Sequence, residues 1–341
     1  MRAALIYTAW ILAAVGAGLV WPEAFVAWGG VELRDPRLVL IVVQLVMFGM
    51  GTQMRLADFQ GVVGEPRGVL VGLACQFTIM PLLGWAIARM FRFPDEVAAG
   101  IVLIGSCSSG LASNVMTYLA KANLALSVTV TACATLLAPL MTPLWMKLLA
   151  GRLVEVSAPR MMLSILQMVV LPVAAALVIN QLVTVWQPAR AGWERLRRWM
   201  PLVSMAGIVY FTAITTAAGR SELLQVGPLL LVASVLHNGL GYVFGYAGSR
   251  LAGLDVPSAR AMALEVGLQN GGMASGLAGQ MGKLGTVGLA AAVFSPWMNV
   301  SGGLLAGYWA RSSPEANPDA PRPASGHLDH GLDHARGGVE E

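Results

Sequence analysis

Long stretches of the chain contain no charged residue, and they alternate with short charged turns. Residues 38–54, 68–88, 97–120 and 122–146 carry no Lys, Arg, Asp or Glu. A run of about 20 apolar residues is enough to span the hydrocarbon core of a bilayer as an α-helix. The strands of a membrane barrel alternate apolar and polar residues over only about 10 positions. The pattern therefore predicts an all-α protein embedded in a membrane.

Ten such hydrophobic segments can be counted, and short turns rich in Pro, Gly and Asp join them. An even number of crossings places both chain termini on the same side of the membrane. The longest connection, residues 186–199, carries four Arg and three Trp, so we expect it to lie along a headgroup surface. Because cytoplasmic loops are enriched in Lys and Arg, this cluster favours cytoplasmic termini in a bacterial inner membrane. The segments lie near 4–21, 37–54, 67–91, 96–121, 123–149, 159–184, 200–219, 223–250, 257–282 and 284–310.

The composition agrees with this interpretation. Hydrophobic residues make up 56% of the 341 positions and charged residues 12%, about half of what a soluble domain carries. The net charge of +4 is not concentrated in a basic run, so nucleic acid is not an expected partner. Arg2 and the apolar stretch after it resemble a signal peptide. That stretch is longer than a signal core and lacks a convincing cleavage site, so we expect it to be the first spanning helix.

Residues 312–341 have a different character from the rest of the chain. They are rich in Pro, Gly and charge and nearly free of apolar side chains, so they cannot bury a core and are expected to be disordered. The histidines at 327, 330 and 334 could attract a metal, but we interpret them as incidental residues of a solvated tail.

An internal repeat relates the two halves of the chain. The tetrapeptide Gly-Leu-Ala-Ser at 110–113 is echoed by Gly-Met-Ala-Ser at 272–275, and Ala-Pro-Leu-Met at 138–141 by Ser-Pro-Trp-Met at 295–298. A unit of five helices that occurs twice must insert its second copy upside down, since five crossings end on the opposite side. Inverted repeats with interrupted helices at matching positions indicate a carrier site near the bilayer midplane.

Two segments contain such interruptions. Residues 105–110 read Gly-Ser-Cys-Ser-Ser-Gly, and residues 265–272 read Glu-Val-Gly-Leu-Gln-Asn-Gly-Gly. Each Gly inside a helix costs about 1 kcal/mol relative to Ala. Unwound backbone occurs at membrane depth only where it is buried in protein or lines a wet cavity. Glycines can also serve close helix packing, but paired breaks beside polar side chains favour a binding site.

Glu265 is the most informative single residue. It lies well inside a spanning segment, with no Lys or Arg between Arg260 and Lys283. An ionised carboxylate at that depth costs several kcal/mol, so the residue is expected to be functional. Its charge must be removed by protonation or balanced by a bound cation.

Oxygen ligands suited to a hard cation are abundant in the same segments. Gln269 follows Glu265 by one helical turn and shares its face. Any single Ser or Thr can instead bond back to its own helix, but as a set around one carboxylate these residues favour a sodium site. The set comprises Gln76, Ser113, Asn114, Ser127, Thr131 and Gln269.

Several motifs resemble the bile acid:sodium symporter family, and they occur along the chain in that family's order. The most specific are the two interrupted segments, GSCSSGLASNVMTYLAKANLALSVTVTACATLLAPLMTP at 105–143 and EVGLQNGGMASGLA at 265–278. The resemblance extends from the first helix to about residue 311. Shorter matches are GMGTQMRLADF (49–59), QFTIMPLLGW (76–85), LHNGLGY (236–242) and SPWMNVSG (295–302).

The resemblance implies ten transmembrane helices in two inverted five-helix repeats, with broken helices four and nine crossing each other. A panel domain would comprise residues 1–62 and 153–221, and a core domain residues 63–152 and 222–311, followed by the tail at 312–341. Two sodium ions would bind beside the crossing. The first would use Ser113, Asn114, Ser127, Thr131 and Glu265; the second Gln76, Glu265, Gln269 and the carbonyls of Val266 and Leu268.

The resemblance also implies that a small organic anion binds against the broken helix ends, near Asn270 and Asn299. Helix N-termini offer unpaired N–H groups and a positive dipole to an anion. Two departures make this pocket more apolar: Leu111 replaces a Thr of many bacterial members, and Met298 replaces a His. The expected function is therefore sodium-coupled symport by alternating access. The substrate would be a pantoate- or pyruvate-like monocarboxylate or a bile-acid-like amphipathic anion.

Other functions remain as alternatives. A proton-coupled carrier would use Glu265 as its titrating group, and a non-transporting membrane sensor would use the tail for signalling. An enzyme is not expected, because no H-E-x-x-H, G-x-S-x-G or C-x-x-C element lies near a membrane surface. The pattern leaves the oligomeric state open and is compatible with a monomer. His237 is expected to make a structural hydrogen bond rather than to relay protons.

Overall fold

The computed structural model describes residues 2–185 and 187–312, and it shows an all-α membrane protein. A two-residue hairpin pairs Ala27–Trp28 with Val31–Glu32, with Ala27 opposite Glu32. Two 3-10 helices (Pro22–Phe25 and Leu56–Gln60) and two π-helices (Met146–Ala150 and Leu166–Val170) connect or extend the α-helices. The α-helices are α1 Arg2–Val20, α2 Pro36–Thr52, α3 Gly61–Gly64, α4 Pro66–Phe91, α5 Asp95–Ser106, α6 Leu111–Leu119, α7 Leu124–Trp145, α8 Ala158–Ile165, α9 Leu171–Val185, α10 Gln187–Ala218, α11 Arg220–Leu251, α12 Val256–Gly267, α13 Gly271–Gln280 and α14 Val287–Ser312.

All ten predicted hydrophobic segments are helical. Six helical runs are long and apolar enough to cross a membrane, and α2 together with the helix bent by 77° after it makes a seventh candidate. The fourth and ninth predicted segments are each divided into two shorter helices, α5 with α6 and α12 with α13. The six runs are Pro66–Phe91, Leu124–Ala150, Ala158–Val183, Arg190–Ala218, Arg220–Leu251 and Val287–Ser312.

The interpretation of residues 186–199 as a separate link is wrong for 187–199. These residues form the first turns of α10, which is one 32-residue helix. Ala, Arg, Glu and Leu predominate there and are strong helix formers. Arg197 and Glu194 also form an ion pair at 3.7 Å, three positions apart on the helix surface. The apolar pattern alone does not show where α10 starts, because the helix begins about three turns before its apolar part.

The first and last described helices bear on two predictions, the first spanning helix and the disordered tail. α1 packs against α10 so closely that a Cβ at Gly18 would lie 2.9 Å from the Ala213 carbonyl oxygen, as expected of a helix that belongs to the fold. α14 ends at Ser312, so the first residue of the expected tail is still helical. Residues 313–341, with the three tail histidines, lie outside the described residues.

Side chains that accept hydrogen bonds from helix N–H groups explain where several helices begin. The Asp35 carboxylate accepts from the N–H groups of Arg37 and Leu38, and Pro36 occupies the first helical position of α2. Asp255 caps α12 in the same way, and Asn123 caps α7. These aspartates and asparagines satisfy N–H groups that the first turn of a helix leaves unpaired.

The helices pack in two sets. In one set α10 contacts α1 and α2, and α2 contacts α9. In the other, α11 contacts α4, α12 and α14, and α5 contacts α4 and α14. The interrupted helices α5, α6 and α12 pack within the second set, while α13 also contacts α2 and α10 of the first set, so it lies between the two sets.

Asn180 joins α9 to the end of α2 and to α10. Its Nδ2 donates to the carbonyl oxygens of Gly51, Thr52 and Met54 at 3.4, 3.2 and 2.8 Å, and its Oδ1 accepts from Trp193 Nε1 at 2.7 Å. We expect Asn180→Ala to lower the free energy of unfolding by about 1–3 kcal/mol, since these buried groups lose their partners. Thermal unfolding in detergent measures this. Trp193→Phe, which removes only one of the bonds, should cost less; an equal cost would contradict this role of Asn180.

Candidate functional site

The two helix interruptions predicted from the sequence meet each other. α5 ends at Ser106 and α6 begins at Leu111, while α12 ends at Gly267 and α13 begins at Gly271. The extended stretches between them run antiparallel. Ser109 and Gln269 form an isolated β-bridge, and the Asn270 N–H donates to the Ser108 carbonyl at 2.9 Å. Backbone groups that the breaks release from the helices thus find partners in each other, as a buried site requires.

A side-chain amide from a neighbouring helix supports each break. Gln76 on α4 donates from Nε2 to the Cys107 carbonyl at 3.0 Å. Asn238 on α11 donates from Nδ2 to the Gly267 carbonyl at 2.8 Å, and its Oδ1 accepts from Ser301 Oγ at 2.6 Å. Both amides are fully buried. They satisfy carbonyl groups that the helices leave unpaired where they stop.

The Glu265 carboxylate lies fully buried beside this crossing. Its Oε1 accepts from Ser127 Oγ at 2.5 Å and from Thr131 Oγ1 at 2.9 Å. Its Oε2 accepts from Thr131 at 3.0 Å and from the Ser109 hydroxyl. Within residues 2–185 and 187–312 no Lys or Arg forms an ion pair with it. Hydroxyl groups alone therefore surround a carboxylate that has been removed from water.

Asn114 brings a further oxygen into the same cluster. Its Oδ1 lies 2.9 Å from Ser127 Oγ and 3.2 Å from Thr131 Oγ1, and Ser113 Oγ lies 3.5 Å from Thr131 Oγ1. Ser127 and Thr131 each have a single hydroxyl hydrogen, yet each lies within hydrogen-bond distance of both Glu265 and Asn114. The close oxygen–oxygen contacts therefore outnumber the hydrogens available to bridge them. A bound cation would stabilise the oxygen atoms that have no hydrogen between them.

The structure also brings together the second predicted set. Gln76 Nε2 donates to Gln269 Oε1 at 3.0 Å, and Gln269 Nε2 donates to the Val266 carbonyl at 2.7 Å. Leu268 lies on the extended stretch between α12 and α13. The other amide oxygen, Gln76 Oε1, is buried without a hydrogen-bond partner. An unsatisfied buried acceptor costs about 1–3 kcal/mol, which a cation beside it would offset.

The donor atoms of both sets are oxygens of hydroxyl, carboxylate, amide and carbonyl groups. Such atoms suit a hard cation, whereas zinc and other transition metals favour His and Cys ligands. The described part of the chain contains no cluster of three or more His, Cys, Asp or Glu side chains. The residues present therefore fit sodium.

The predicted substrate residues lie around the same crossing. Asn270 is buried and caps α13, accepting from the Met273 N–H at 3.0 Å. Asn299 donates to the Ser295 carbonyl at 2.7 Å, and Ser295 itself packs directly on Gly271. Thus the start of α13 touches the turn of α14 that carries Asn299. Met298 is buried on α14, and Leu111 is the half-buried first residue of α6.

Sequence reasoning missed three residues of the site. Ser109 contacts Glu265, Thr117 lies 3.2 Å from Ser127, and Asn238 supports the second break. Ser109 stood in the interruption that the sequence marked, but three serines lie there and nothing local distinguishes them. His237 Nε2 donates a structural hydrogen bond to the Met80 carbonyl at 2.9 Å, as expected, and the ring packs against Phe294.

Two interrupted helices that cross around a buried carboxylate, in an all-α membrane protein, define the class of secondary transporters. Comparison with known proteins specifies the class further. Residues 40–226 match the model of the sodium bile acid symporter family, and the chain belongs to that family. Its relatives are transporters and not enzymes.

Three relatives illustrate how broad the family is. The sodium-dependent transporter YocS of Bacillus subtilis is 38% identical over 303 residues, which cover 89% of this chain and 90% of YocS. The probable sodium/metabolite cotransporter BASS1 of Arabidopsis thaliana is 32% identical, over 91% of this chain and 74% of BASS1. The human ileal sodium/bile acid cotransporter is 30% identical, over 68% of this chain and 66% of that protein.

Proposed function

We propose that the protein is a sodium-coupled symporter of a small organic anion. The observation that carries this proposal is the oxygen-rich cluster around Glu265, which is fully buried and surrounded by hydroxyl groups at the crossing of the two breaks. A sodium ion there would neutralise the carboxylate and supply the positive charge that the cluster lacks. The membership of the family, whose named relatives depend on sodium, supports the same ion.

We assign two ions to the two oxygen sets. The first would bind Ser113, Asn114, Ser127, Thr131 and Glu265. The second would bind Gln76, Gln269 and the Val266 and Leu268 carbonyls, on the other side of the shared Glu265. The unpartnered Gln76 Oε1 supports the second assignment. Occupation of the first site would link the two interrupted segments, because its residues include Ser113 and Asn114 from one segment and Glu265 from the other.

For the architecture we propose ten crossings in two inverted repeats. Two matching amides support this arrangement. Gln76 lies on α4, the helix before the first break, and Asn238 lies on α11, the helix before the second, and each donates to a carbonyl group at its break. The packing supports a panel of residues 1–62 and 153–221 beside a core of residues 63–152 and 222–311, because α1, α2, α9 and α10 form their own set of contacts. Movement of the panel against the core would alternate access. We place the protein in a bacterial inner membrane with cytoplasmic termini.

The substrate would bind where the second half-helices begin. The N-termini of α6 and α13 meet near Gly110 and Asn270, since a Cβ added at Gly110 would lie within 3.9 Å of three Asn270 atoms. Both helix dipoles favour an anion at this position. Met298 and Leu111 supply apolar surface, with Asn299 as a polar neighbour. We propose a monocarboxylate with a short apolar part as the substrate, and a bile-acid-like amphipathic anion as the second choice.

Uptake by proteoliposomes tests the proposal. An inward sodium gradient should drive accumulation of a radiolabelled carboxylate such as pyruvate or pantoate, and replacement of sodium by potassium or choline should stop it. Proton coupling through Glu265 is the competing function, because a buried carboxylate without an ion pair can also be protonated. Accumulation driven by an acidic exterior in sodium-free buffer would favour that function instead.

Gln76→Ala should weaken sodium binding without abolishing it. The change removes an oxygen of the second site and the bond to the Cys107 carbonyl, but leaves the hydroxyl cluster around Glu265 intact. We expect the sodium concentration for half-maximal thermal stabilisation to rise by about tenfold, which corresponds to about 1.4 kcal/mol. Gln44→Ala, which alters a Gln on α2 that donates to the Gln167 carbonyl, is the control and should bind sodium as before. An unchanged sodium titration in Gln76→Ala would remove Gln76 from the site.

A further inference from the structure

A basic cavity lies at the end of the molecule where α4 finishes and α5 begins. It has a volume of about 620 Å³ and lies between these two helices and the chain that follows α7. Its lining includes Trp85 and Arg89 on α4, and Leu148 on the π-helix after α7, and none of the described hydrogen-bond partners of Glu265 belongs to it. The proposed sodium and substrate sites do not involve any of these residues.

Three arginines line the cavity and leave it positively charged. Arg89 and Arg92 come from the end of α4, and Arg152 comes from the turn after the π-helix, while Asp95 is the one acid among the lining residues. The net formal charge is therefore +2. In the part of the chain that the structure describes, none of the three arginines forms an ion pair. The Arg89 guanidinium lies 5.2 Å from the centre of the Trp85 ring, and such stacking restrains its position.

The backbone holds Arg92 in place. It ends α4 in the left-handed conformation, with φ 53°, and its N–H donates to the carbonyls of Ala88 and Arg89. Few residues other than Gly adopt this conformation, so the chain places a long basic side chain where a Gly would ordinarily end the helix. The exposed guanidinium groups of Arg92 and Arg152 then approach the cavity from two separate stretches of chain.

The rest of the lining is apolar and reaches the outer surface of the helices. Ala98 and Val102 form a buried wall, and Leu148 is 65% exposed. Trp85 is also exposed on the outer face of α4. In a membrane protein an exposed Leu on the outside of a helical run faces lipid, and Trp favours the boundary between headgroups and acyl chains. The cavity therefore has a basic part and, next to it, an apolar surface that faces the lipid acyl chains.

We propose that this cavity binds an anionic phospholipid, with the headgroup phosphate between Arg92 and Arg152 and an acyl chain along Leu148 and Trp85. Arginine forms paired hydrogen bonds with phosphate oxygens, and basic pockets between transmembrane helices are suited to anionic headgroups. A water-soluble anion would match the arginines but leave the apolar wall and Leu148 without a partner. The amphipathic lining therefore favours a lipid.

Lipid titration of the delipidated protein tests this site. Native mass spectrometry in detergent would count bound phosphatidylglycerol and, separately, phosphatidylcholine with the same acyl chains. We expect the wild type to prefer phosphatidylglycerol. Arg152→Gln should weaken phosphatidylglycerol binding about 5-fold, and the double variant Arg92→Gln with Arg152→Gln about 25-fold. All these arginines are exposed, and an unchanged unfolding temperature without lipid would show that the variants fold.

Arg160→Gln is the matched control. Arg160 is likewise exposed and stands at the start of α8, shortly after Arg152, but does not line the cavity. Its replacement should leave lipid binding unchanged. Equal binding of the two lipids, or an equal loss in Arg160→Gln and Arg152→Gln, would overturn the proposal in favour of general surface electrostatics. Displacement of phosphatidylglycerol by glycerol phosphate or inorganic phosphate at similar concentrations would instead assign the cavity to a free anion.

Discussion

Glu265→Gln should abolish the stabilisation of the protein by sodium. A ligand that binds only the folded state adds about 2.7 kcal/mol to the free energy of unfolding at 100 times its dissociation constant. The variant keeps the size of the side chain but removes the negative charge that would hold both proposed ions. We therefore expect a saturable rise in the unfolding temperature of the wild type when NaCl replaces choline chloride at constant ionic strength, and no rise in Glu265→Gln.

The same variant should be at least as stable as the wild type when sodium is absent. The Gln amide would bring two hydrogens into a cluster in which Ser127 and Thr131 cannot bridge all of their oxygen neighbours. It would also end the cost of keeping a carboxylate buried without a counter-ion. The variant should therefore be at least as stable as the wild type in sodium-free buffer and less stable in sodium-containing buffer. Simple misfolding would instead lower the stability of the variant in both buffers.

Glu96→Gln provides the control for the loss of an acid. Glu96 lies near the start of α5, where it pairs with Lys283 at the surface, so its replacement should leave the sodium response intact. A sodium response that survives in Glu265→Gln would place the ions elsewhere. A wild type that does not respond to sodium, but whose stability follows pH, would assign Glu265 to proton coupling.

Gly100→Ala should strongly destabilise the protein. Gly100 on α5 lies against the backbone of α14, and an added Cβ would lie 2.3 Å from the Val287 carbonyl oxygen and 3.2 Å from the Ala290 Cβ. Because backbone atoms cannot rotate away, the two helices must separate. Overpacking of this kind costs about 1–3 kcal/mol, and it would disturb the helix that leads into the first break. Thermal unfolding in detergent measures the cost.

Gly307→Ala on α14 distinguishes close packing from a general effect of glycine in helices. A Cβ at Gly307 would meet no other atom within 4 Å. Because Ala favours the helix by about 1 kcal/mol over Gly, this control should leave stability unchanged or raise it slightly. Equal stability of the two variants would mean that α5 and α14 do not approach each other as closely as the structure shows.

The positions of the helices could be predicted from the sequence because the information is local. Apolar runs marked all ten segments, and turns rich in Pro, Gly and Asp separated them. Asp35 and Asp255 lie in such turns, and the structure shows that they cap α2 and α12. The start of α10 could not be predicted in this way, since its first turns are polar. The interruptions were also readable, because Gly beside polar residues weakens a helix wherever it lies.

The candidate site was predictable in composition but not in arrangement. Glu265 was marked by the cost of a charge at membrane depth, a property of one residue in its own segment. Which hydroxyl groups surround it depends on contacts between residues far apart in the chain, and Ser109, 156 positions away, could not be distinguished from its neighbours. The same holds for Asn238, which meets Gly267 only because α11 packs against α12.

The amino-acid sequence alone was enough to predict a helical membrane protein and its family, and to find a carboxylate and two weakened helices within the apolar segments. Those features follow from hydrophobicity, helix propensity and desolvation, which act within a segment. Three arrangements became visible in the folded structure: the two breaks bridge each other, hydroxyl and amide oxygens lie around Glu265 without enough hydrogens to join them, and Arg92 and Arg152 line one cavity. Those arrangements depend on helix packing, which brings together side chains that no local pattern relates.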